Sequence, residues 1–424
     1  MLGTPNSTRK NGRLLSYPVI AGSVSILAAS YNLAIISVGL QDIQKTFALD
    51  STQLTVLASI ILVGAIFGSI ISGILSDRLG RLGILTADMA TFVAAGILSS
   101  ISVSFTQLII FRFLVGIGVG MDYVIVFAYI AEIYHRSGLR GARMATILFF
   151  ANFGILMAYV SGALFDYSFG MAGWRYAAIS GAIFSIVPII LRSRLKETDL
   201  WKGLRLNSFR RIAKDSVKGK RKNDILSFSI PWFLYQISDQ SLAIILPLVL
   251  IPILGLSAIS GSVGSVFVKL FTIPASFLTI LMIERLGRKL LQSVGFLLRG
   301  ILLLSVGIML FYSINASPIL LILILGMAFF FGAFGPDKTT VIMPAEKYET
   351  EVRATSQGFS EAAGRFGGIV GIFGYAMFSL ALNGGGIIFL AVTCLAGGVI
   401  THFFIKETRY SNNLEPKERT SGDT

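Results

Sequence analysis

The sequence predicts an all-α membrane protein whose twelve transmembrane helices form two pseudo-symmetric six-helix bundles. Three observations lead to this prediction. The 424-residue chain is 54% hydrophobic and only 14% charged, with a mean hydropathy of +0.77, whereas soluble domains carry about 25% charged residues. Apolar stretches of membrane-spanning length recur along the chain, and short sequence echoes relate its first half to its second.

Twelve apolar stretches are long enough to cross a bilayer, which takes roughly 20 residues in a helix. The predicted spans cover residues 16–40, 53–75, 82–103, 107–132, 144–166, 175–194, 226–252, 257–282, 290–313, 317–345, 354–382 and 384–405. A run rich in Lys and Arg separates the sixth span from the seventh. The chain therefore divides into an N-terminal bundle (1–191), a basic linker (192–223) and a C-terminal bundle with a short tail (224–424).

Positive charge is distributed unevenly between the joints. Lys and Arg outnumber Asp and Glu by 36 to 22, and most of them lie in the two termini, the linker and the joints that follow even-numbered spans. The opposite joints hold only Lys45 and Arg175. By the positive-inside rule, both termini and the linker are predicted to be cytoplasmic, in a multi-pass protein of the plasma membrane. The net charge of +14 is thus explained by the orientation of the chain in the membrane and by attraction to anionic lipid headgroups. We therefore expect no nucleic-acid partner.

Residues that carry enzyme chemistry are scarce. The sequence has one cysteine, Cys394, and two distant histidines, His135 and His402. These offer neither metal-ligand spacing nor a nucleophile–base pair, so we expect no metal, no cofactor and no enzymatic activity. A channel, or a solute sensor with the same kind of helical membrane scaffold, is the alternative class of function.

Two segments of the first half recur, with similar sequence, at similar distances along the second half; we call each such pair an echo. SDRLGR (Ser76–Arg81) follows the second span, and IERLGRK (Ile283–Lys289) follows the eighth. AEIYHRSGLRGA (Ala131–Ala142) ends the fourth span, and AEKYETEVRAT (Ala345–Thr355) ends the tenth. A duplicated helical unit with a site near the midplane, between the repeats, is a common architecture of secondary transporters.

The echo segments also carry a family resemblance. GILSDRLGR (Gly73–Arg81) resembles the loop signature of the major facilitator superfamily, and RFLVGIGVG (Arg112–Gly120) resembles its sugar-porter-like group. The resemblance implies the major facilitator fold and alternating access, with a latch at the cytoplasmic helix ends. We expect the protein to function as a monomer in the lipid bilayer. The latch residues are Gly73, Asp77, Arg78, Gly80, Arg81, Glu284, Arg285 and Arg288, and gating or structural roles fall to Arg112, Glu132, Glu346 and Arg353.

A narrower resemblance is to the phosphate:proton symporters. GMDY (Gly120–Tyr123), WFLYQ (Trp232–Gln236) and the stretch from Phe334 to Gly368 carry it. It implies proton-coupled uptake of a small anion such as phosphate, with a small-molecule solute and protons as partners.

Six positions depart from the phosphate pattern: Gln240 replaces a tyrosine, Arg365 replaces a lysine, and the other four lose an acidic or polar group. Ala29 and Asn32 replace two acids of the first span, Phe153 replaces a glutamine, and Gln236 replaces an aspartate. A sugar or another organic solute, moved by symport or uniport, is therefore the alternative cargo.

Charged side chains inside the predicted spans mark a polar path, because burying them in lipid is costly. Asp122 lies near the middle of the fourth span, and Asp239 lies in the seventh; both are predicted to bind the coupled proton. A structural ion pair with a neighbouring helix is the alternative for Asp122. Arg112 stands about 15 Å from Asp122 along the same helix, so we expect it to contact another helix or backbone carbonyls.

The seventh span places its polar side chains on one face. Trp232, Tyr235, Gln236, Asp239 and Gln240 follow helical spacing, and in lipid such a face must point inward. Arg365 suits bidentate contact with an oxyanion, or it pairs with Glu361, four residues earlier. The predicted substrate-binding residues are Tyr123, Trp232, Tyr235, Gln236, Gln240 and Arg365.

Overall fold

The computed structural model describes residues 14–204, 220–254, 258–314 and 317–409, and all regular structure in these ranges is helical. The α-helices are α1 (Tyr17–Val38), α2 (Leu40–Phe47), α3 (Ser51–Leu79), α4 (Arg81–Ser100), α5 (Phe105–Ile133), α6 (Arg140–Phe169), α7 (Gly173–Arg192), α8 (Asp199–Leu204), α9 (Lys220–Leu254), α10 (Ala258–Leu270), α11 (Thr272–Leu286), α12 (Arg288–Phe311), α13 (Pro318–Phe334), α14 (Pro336–Lys347), α15 (Arg353–Ala381) and α16 (Gly385–Phe404). Short 3-10 turns cover Gly170–Ala172 and Thr350–Val352.

Ten helical ranges within the described residues are long and apolar enough to cross a membrane. One of them, Arg140–Arg192, contains both α6 and α7, which meet at the turn of Gly170–Ala172. The prediction of a multi-pass, all-helical membrane protein is confirmed. The predicted cytoplasmic linker begins at the buried end of α7 and includes α8; its residues 205–219 lie outside the described ranges, as do 1–13 and 410–424 of the termini.

Helix boundaries follow from local sequence. α3 starts at a capping box, in which the Gln53 N–H donates to Asp50 Oδ1 at 2.7 Å and the Asp50 N–H donates to Gln53 Oε1 at 3.1 Å. Such a box satisfies two backbone groups that a helix start leaves open. α3 and α11 end at Gly80 (φ 105°) and Gly287 (φ 85°), where a positive φ favours glycine.

Two predicted spans are interrupted. The eighth consists of α10 and α11, which meet at Phe271, and the tenth consists of α13 and α14, which meet at Gly335. Pro336 follows Gly335 and has no N–H to continue the helical ladder. This break places the polar start of α14, Asp337 and Lys338, inside the helix bundle, where Lys338 is fully buried. The short helix α2 was not predicted.

Helices α3 and α5 pack with their backbones close together. An added Cβ at Gly120 would overlap the carbonyl oxygen of Ala65, so the absence of a side chain permits the approach. Close small-residue packing is the usual way in which membrane helices associate. It fixes the rotation of α5 and thereby the direction in which Asp122 and Tyr123 point.

Candidate functional site

A buried charge network joins the ends of α3, α4 and α5. Arg81 Nη1 lies 2.7 Å from Asp77 Oδ1, and Arg81 Nη2 lies 2.6 Å from Glu132 Oε1. Arg81 is fully buried, and Asp77 and Glu132 are buried as well. The two carboxylates offset much of the cost of burying the Arg81 guanidinium, because each accepts a hydrogen bond from one of its Nη atoms.

The second half of the chain repeats the network. Arg288 Nη1 lies 2.7 Å from Glu284 Oε2, and Arg288 Nη2 lies 2.7 Å from Glu346 Oε1. These residues are the echo partners of Asp77, Arg81 and Glu132. The two networks lie at the same end of the molecule, which we call the latch end.

Contacts between the two halves close the latch end. The Thr355 N–H and the Thr355 hydroxyl both donate to Asp77 Oδ2, at 2.8 and 2.6 Å. In the repeat, the Ala142 N–H donates to Glu284 Oε1 at 3.1 Å.

Two longer ion pairs reinforce this closure. Arg353 Nη1 lies 3.5 Å from Glu132 Oε1, and Arg140 Nε lies 3.6 Å from Glu346 Oε1. Of the other predicted latch residues, Gly73 packs against the backbone of Ala354. Arg78 and Arg285 are exposed.

Sequence reasoning missed two acids that complete these networks. Glu197 Oε2 accepts hydrogen bonds from the N–H groups of Arg81 (2.8 Å) and Leu82 (3.2 Å). Glu407 does the same for Arg288 (3.1 Å) and Lys289 (2.9 Å). A signal was present, since LKETD (195–199) and IKETR (405–409) form a third echo.

Arg365 lies where helices of the two halves meet. Its Nη1 donates to Gln240 Oε1 at 2.9 Å, its Nη2 lies 3.7 Å from Glu361 Oε2, and its Cζ lies 4.7 Å from the centre of the Tyr123 ring. Tyr123 shares a hydrogen bond of 2.8 Å with Ser30 Oγ. Within the described residues, Nε and Nη2 of Arg365 have no hydrogen-bond acceptor although the side chain is buried.

The predicted stripe of the seventh span is buried. Trp232 Nε1 donates to Glu361 Oε2 at 3.3 Å, and the Trp232 ring stacks on Tyr235. Asp239 Oδ1 lies 3.0 Å from Arg299 Nη1. Gln236 and Gln240 are buried too, so the stripe faces the bundle interior, and its role in binding stays a prediction.

A polar contact across the halves was not predicted. Asn152 Nδ2, on α6, donates to Asp337 Oδ2 at 2.8 Å and to Ser276 Oγ at 3.3 Å. Lys338 donates to the same Asp337 oxygen. No sequence pattern links residues so far apart; the break at Gly335 creates this site.

Asp122 and Arg112 have separate partners, as their spacing on α5 predicts. Asp122 Oδ1 accepts a hydrogen bond from Ser25 Oγ at 2.6 Å and pairs with Arg192. Arg112 Nη2 donates to the backbone oxygen of Asn32 at 3.1 Å. The structure thus gives Asp122 an ion pair with a neighbouring helix.

A cavity of about 160 Å³ opens at the end opposite the latch. It is lined by Leu54, Thr55, Ala58, Ile245, Val249, Ile372, Tyr375 and Ala376. Thr55 and Asp77 lie on the same helix, about 30 Å apart at 1.5 Å per residue. Arg365 lies seven residues, roughly 10 Å, below Ile372 along α15.

The chain matches one protein family over nearly its whole length. The family is described as "Sugar (and other) transporter", and the match covers residues 18–224 and 216–415. "Probable inorganic phosphate transporter 1-10" of Oryza sativa subsp. japonica is 26% identical, over 86% of this chain and 80% of that protein. "Probable inorganic phosphate transporter 1-9" of Arabidopsis thaliana is 24% identical, over 94% and 92%.

Solved structures share the fold. The proton:xylose symporter XylE bound to 6-bromo-6-deoxy-D-glucose superposes with a TM-score of 0.79, at 19% identity, over 92% of this chain and 96% of that one. The inward open conformation of XylE from E. coli gives a TM-score of 0.71, at 21% identity, over 93% and 97%. At this identity the likeness establishes the helical architecture alone.

Proposed function

Because the chain belongs to the sugar (and other) transporter family, we propose that it carries a small oxyanion, with phosphate as the leading candidate, into the cell together with protons. Family membership confirms the prediction of a major facilitator transporter rather than an enzyme. In this proposal a monomer crosses the plasma membrane twelve times. Residues 1–191 and 224–424 form the two six-helix bundles, and both termini and the 192–223 linker are cytoplasmic.

The observation that most directly supports an anionic solute is the incomplete hydrogen bonding of the Arg365 guanidinium. A buried guanidinium without acceptors for all of its N–H groups is costly, and Nε and Nη2 of Arg365 have none among the described residues. An oxyanion would supply two acceptors at once, which is the strong, bidentate form of this contact. Tyr123 and Gln240, which already contact Arg365, would complete the pocket.

The charge balance around Arg365 supports the same cargo. Beyond the latch, the described charges inside the second half of the bundle are Lys269, Arg299, Lys338 and Arg365 against Asp239, Asp337 and Glu361. With all of them ionised, this set has one positive charge in excess. A bound monoanion would neutralise it, and the relatives named as inorganic phosphate transporters fit this cargo.

The latch supports alternating access. Hydrogen bonds between the halves seal the latch end, while a cavity opens at the other end. In our proposal the latch end is cytoplasmic, so the structure corresponds to a state closed to the cytoplasm. Rocking of the halves would break the bonds of Thr355 to Asp77 and expose Arg365 to the cytoplasm.

A neutral sugar-like solute is the second candidate. The buried amides of Asn152, Gln236 and Gln240 are hydrogen-bonding groups without charge, as recognition of hydroxyl groups requires. The architecture shared with a xylose symporter is compatible with this cargo.

Uptake into proteoliposomes decides between phosphate and a neutral sugar-like solute as the transported molecule. We expect labelled phosphate to accumulate under an inward proton gradient, and unlabelled xylose to leave that uptake unchanged. Arg365→Gln should weaken the apparent affinity for phosphate, and Lys202→Gln, at an exposed position in α8, is the matched control. Uptake of xylose without uptake of phosphate would overturn the anion and favour the second candidate.

A further inference from the structure

A group of five charged side chains lies inside the second half of the bundle, and we call it the charge group. It consists of three cations and two acids: Lys269 on α10, Arg299 on α12, Lys338 on α14, Asp239 on α9 and Asp337 on α14. The three cations are at most 1% exposed. Burying a charge is costly unless a partner of opposite sign lies beside it, so the partner of each cation matters.

Two of the three cations have a carboxylate partner. Arg299 Nη1 lies 3.0 Å from Asp239 Oδ1. Lys338 pairs with Asp337, whose Oδ2 also accepts a hydrogen bond from Asn152 Nδ2 at 2.8 Å. Both acids of the charge group are therefore committed to other residues.

Lys269 is the cation that lacks a carboxylate partner. Among the described residues, its Nζ forms neither a hydrogen bond nor an ion pair. Its contact is the ring of Phe329, whose centre lies 4.0 Å from Nζ and 4.8 Å from Arg299 Cζ. A ring attracts a cation through its quadrupole alone, and this offsets little of the cost of burying an ammonium group.

The charged neighbours of Lys269 act in opposite directions. Asp239 and Asp337 attract its ammonium group. Arg299 and Lys338 repel it, and burial adds to their effect because it disfavours the charged form of an amine. A guanidinium keeps its proton in proteins, and Lys338 is held by Asp337. Lys269 is thus the cation of the charge group that can become neutral.

The other helices around α10 bring no further charge to Lys269. α13 contains no charged residue, and the charged residues of α11 lie at its latch end. On α6 the titratable neighbour is Tyr159, whose hydroxyl donates to a backbone oxygen of α9. On α9, the Tyr235 hydroxyl lies within hydrogen-bonding reach of Asp239.

The carboxylates beside Lys269 are open to the interior of the bundle. The side chains of Asp239 and Asp337 are 15% and 19% exposed, whereas their cationic partners are fully buried. Asp337 also contacts the other half of the chain through Asn152, so it lies where the two halves meet. A proton in the solute path can therefore reach the charge group through these carboxylate oxygens.

Anion binding and the charge of Lys269 are linked. With every residue ionised, the second half of the bundle has one positive charge in excess, and it becomes neutral when Lys269 gives up its proton. Tyr123, whose ring lies against Arg365, is within electrostatic reach of Asp337, so the anion site adjoins the charge group. A bound monoanion favours the charged form of Lys269, and by reciprocity the charged form favours the anion.

We propose that Lys269 carries the coupled proton: its amine is neutral in the empty carrier and takes up a proton together with the anion. The proton passes from water in the solute path to the lone pair of Nζ, so no further reactant is needed. This inference rests on the anion and the proton coupling of the proposed function. It assigns the proton to an amine rather than to Asp122 or Asp239, each of which is paired with an arginine.

Phosphate binding to the purified protein tests the linkage without transport. Lys269→Arg keeps the positive charge at every pH, and Lys269→Gln removes it. Dividing the phosphate affinity of each variant by that of wild type at the same pH cancels the ionisation of phosphate itself. Towards alkaline pH, Lys269→Arg should bind more tightly than wild type, by up to about 10-fold for each pH unit, the limit for one linked proton. Lys269→Gln should bind more weakly than wild type towards acidic pH and approach it towards alkaline pH.

The matched control is Lys202→Arg, at an exposed position in α8, which should follow wild type at every pH. A lysine with a purely structural role would change the affinity by the same factor at every pH. A constant ratio in whichever of the two Lys269 variants folds would therefore overturn the inference. Failure of the wild-type protein to bind phosphate would refute the proposed function and the inference with it.

Transport separates the inference from the proposed function. With labelled phosphate and a pH-sensitive dye in proteoliposomes, wild type should move about one more proton for each phosphate than Lys269→Arg, whose guanidinium stays charged. The variant should keep phosphate exchange and lose accumulation driven by the proton gradient. Wild-type accumulation and proton movement in Lys269→Arg would overturn the inference alone. Uptake by the wild-type protein without proton movement would instead refute the proposed coupling.

Discussion

Replacing Asp77 by asparagine should open the latch. The carboxylate makes three contacts: Oδ1 pairs with Arg81 at 2.7 Å, and Oδ2 accepts two hydrogen bonds from Thr355, at 2.8 and 2.6 Å. Asparagine has a single acceptor oxygen, which we expect to stay with Arg81. Its amide N–H groups would then point at the Thr355 N–H and hydroxyl, so both charge-assisted bonds between the halves are lost; the hydroxyl can only rotate to accept a weaker, neutral bond.

The structure sets the size of this effect. A hydrogen bond to a charged group is worth about 1.5–3 kcal/mol, so the two lost bonds shift the equilibrium towards the open state by about 3–6 kcal/mol. At about 1.4 kcal/mol for each tenfold change, this is a factor on the order of 100 to 10,000. Among the residues that the structure describes, the echo residue Glu284 accepts one bond of this kind, from the Ala142 N–H at 3.1 Å. Glu284→Gln should therefore shift the equilibrium roughly half as far in free energy.

Distance measurements between spin labels can detect this shift. Leu79 and Leu286 are exposed at the latch end, one in each half, and the buried Cys394 can be replaced by serine. Asp77→Asn should enlarge the population with the longer distance, and Glu284→Gln should enlarge it less. An unchanged distance distribution in Asp77→Asn, in protein that still inserts, would refute the latch, as would a larger shift in Glu284→Gln.

Three further predictions follow from the same structure. Arg365→Gln should raise the apparent KM for phosphate about 10-fold or more, because a charge-assisted contact of about 1.5–3 kcal/mol is lost. An unchanged KM would mean that Arg365 only forms a structural ion pair with Glu361. Gly120→Leu should destabilise the α3–α5 contact by about 1–3 kcal/mol through overpacking, seen as a lower Tm, and an unchanged Tm would contradict the close backbone approach. Protease added outside sealed right-side-out vesicles should leave the 192–222 segment intact, and cleavage there would reverse the orientation.

The sequence was informative where its patterns are local. Apolar length located the long helices to within about six residues, because a bilayer demands long apolar runs, but it did not show that the eighth and tenth spans are each divided into two helices. The echo motifs paired Asp77, Arg81 and Glu132 with Glu284, Arg288 and Glu346, since a duplicated fold brings equivalent residues into equivalent networks.

The rest depends on contacts between distant parts of the chain. The sequence placed Arg192 at the start of a basic linker, whereas it ends α7 as a buried ion pair with Asp88 and Asp122. The periodicity of hydropathy along the sequence does not show which residues on three different helices form ion pairs with one another. The contact of Asn152 with Asp337 likewise follows from the break at Gly335, whose effect on packing a hydropathy pattern does not contain.

Solute counterflow tests the central claim, transport through an alternating site, most directly. Proteoliposomes are loaded with excess unlabelled phosphate and diluted into labelled phosphate without a proton gradient. A carrier exchanges one solute for another, so the labelled phosphate inside should transiently exceed its equilibrium level and then decline. A monotonic rise to equilibrium, as a channel gives, or no uptake of label by protein that inserts correctly, would contradict the account.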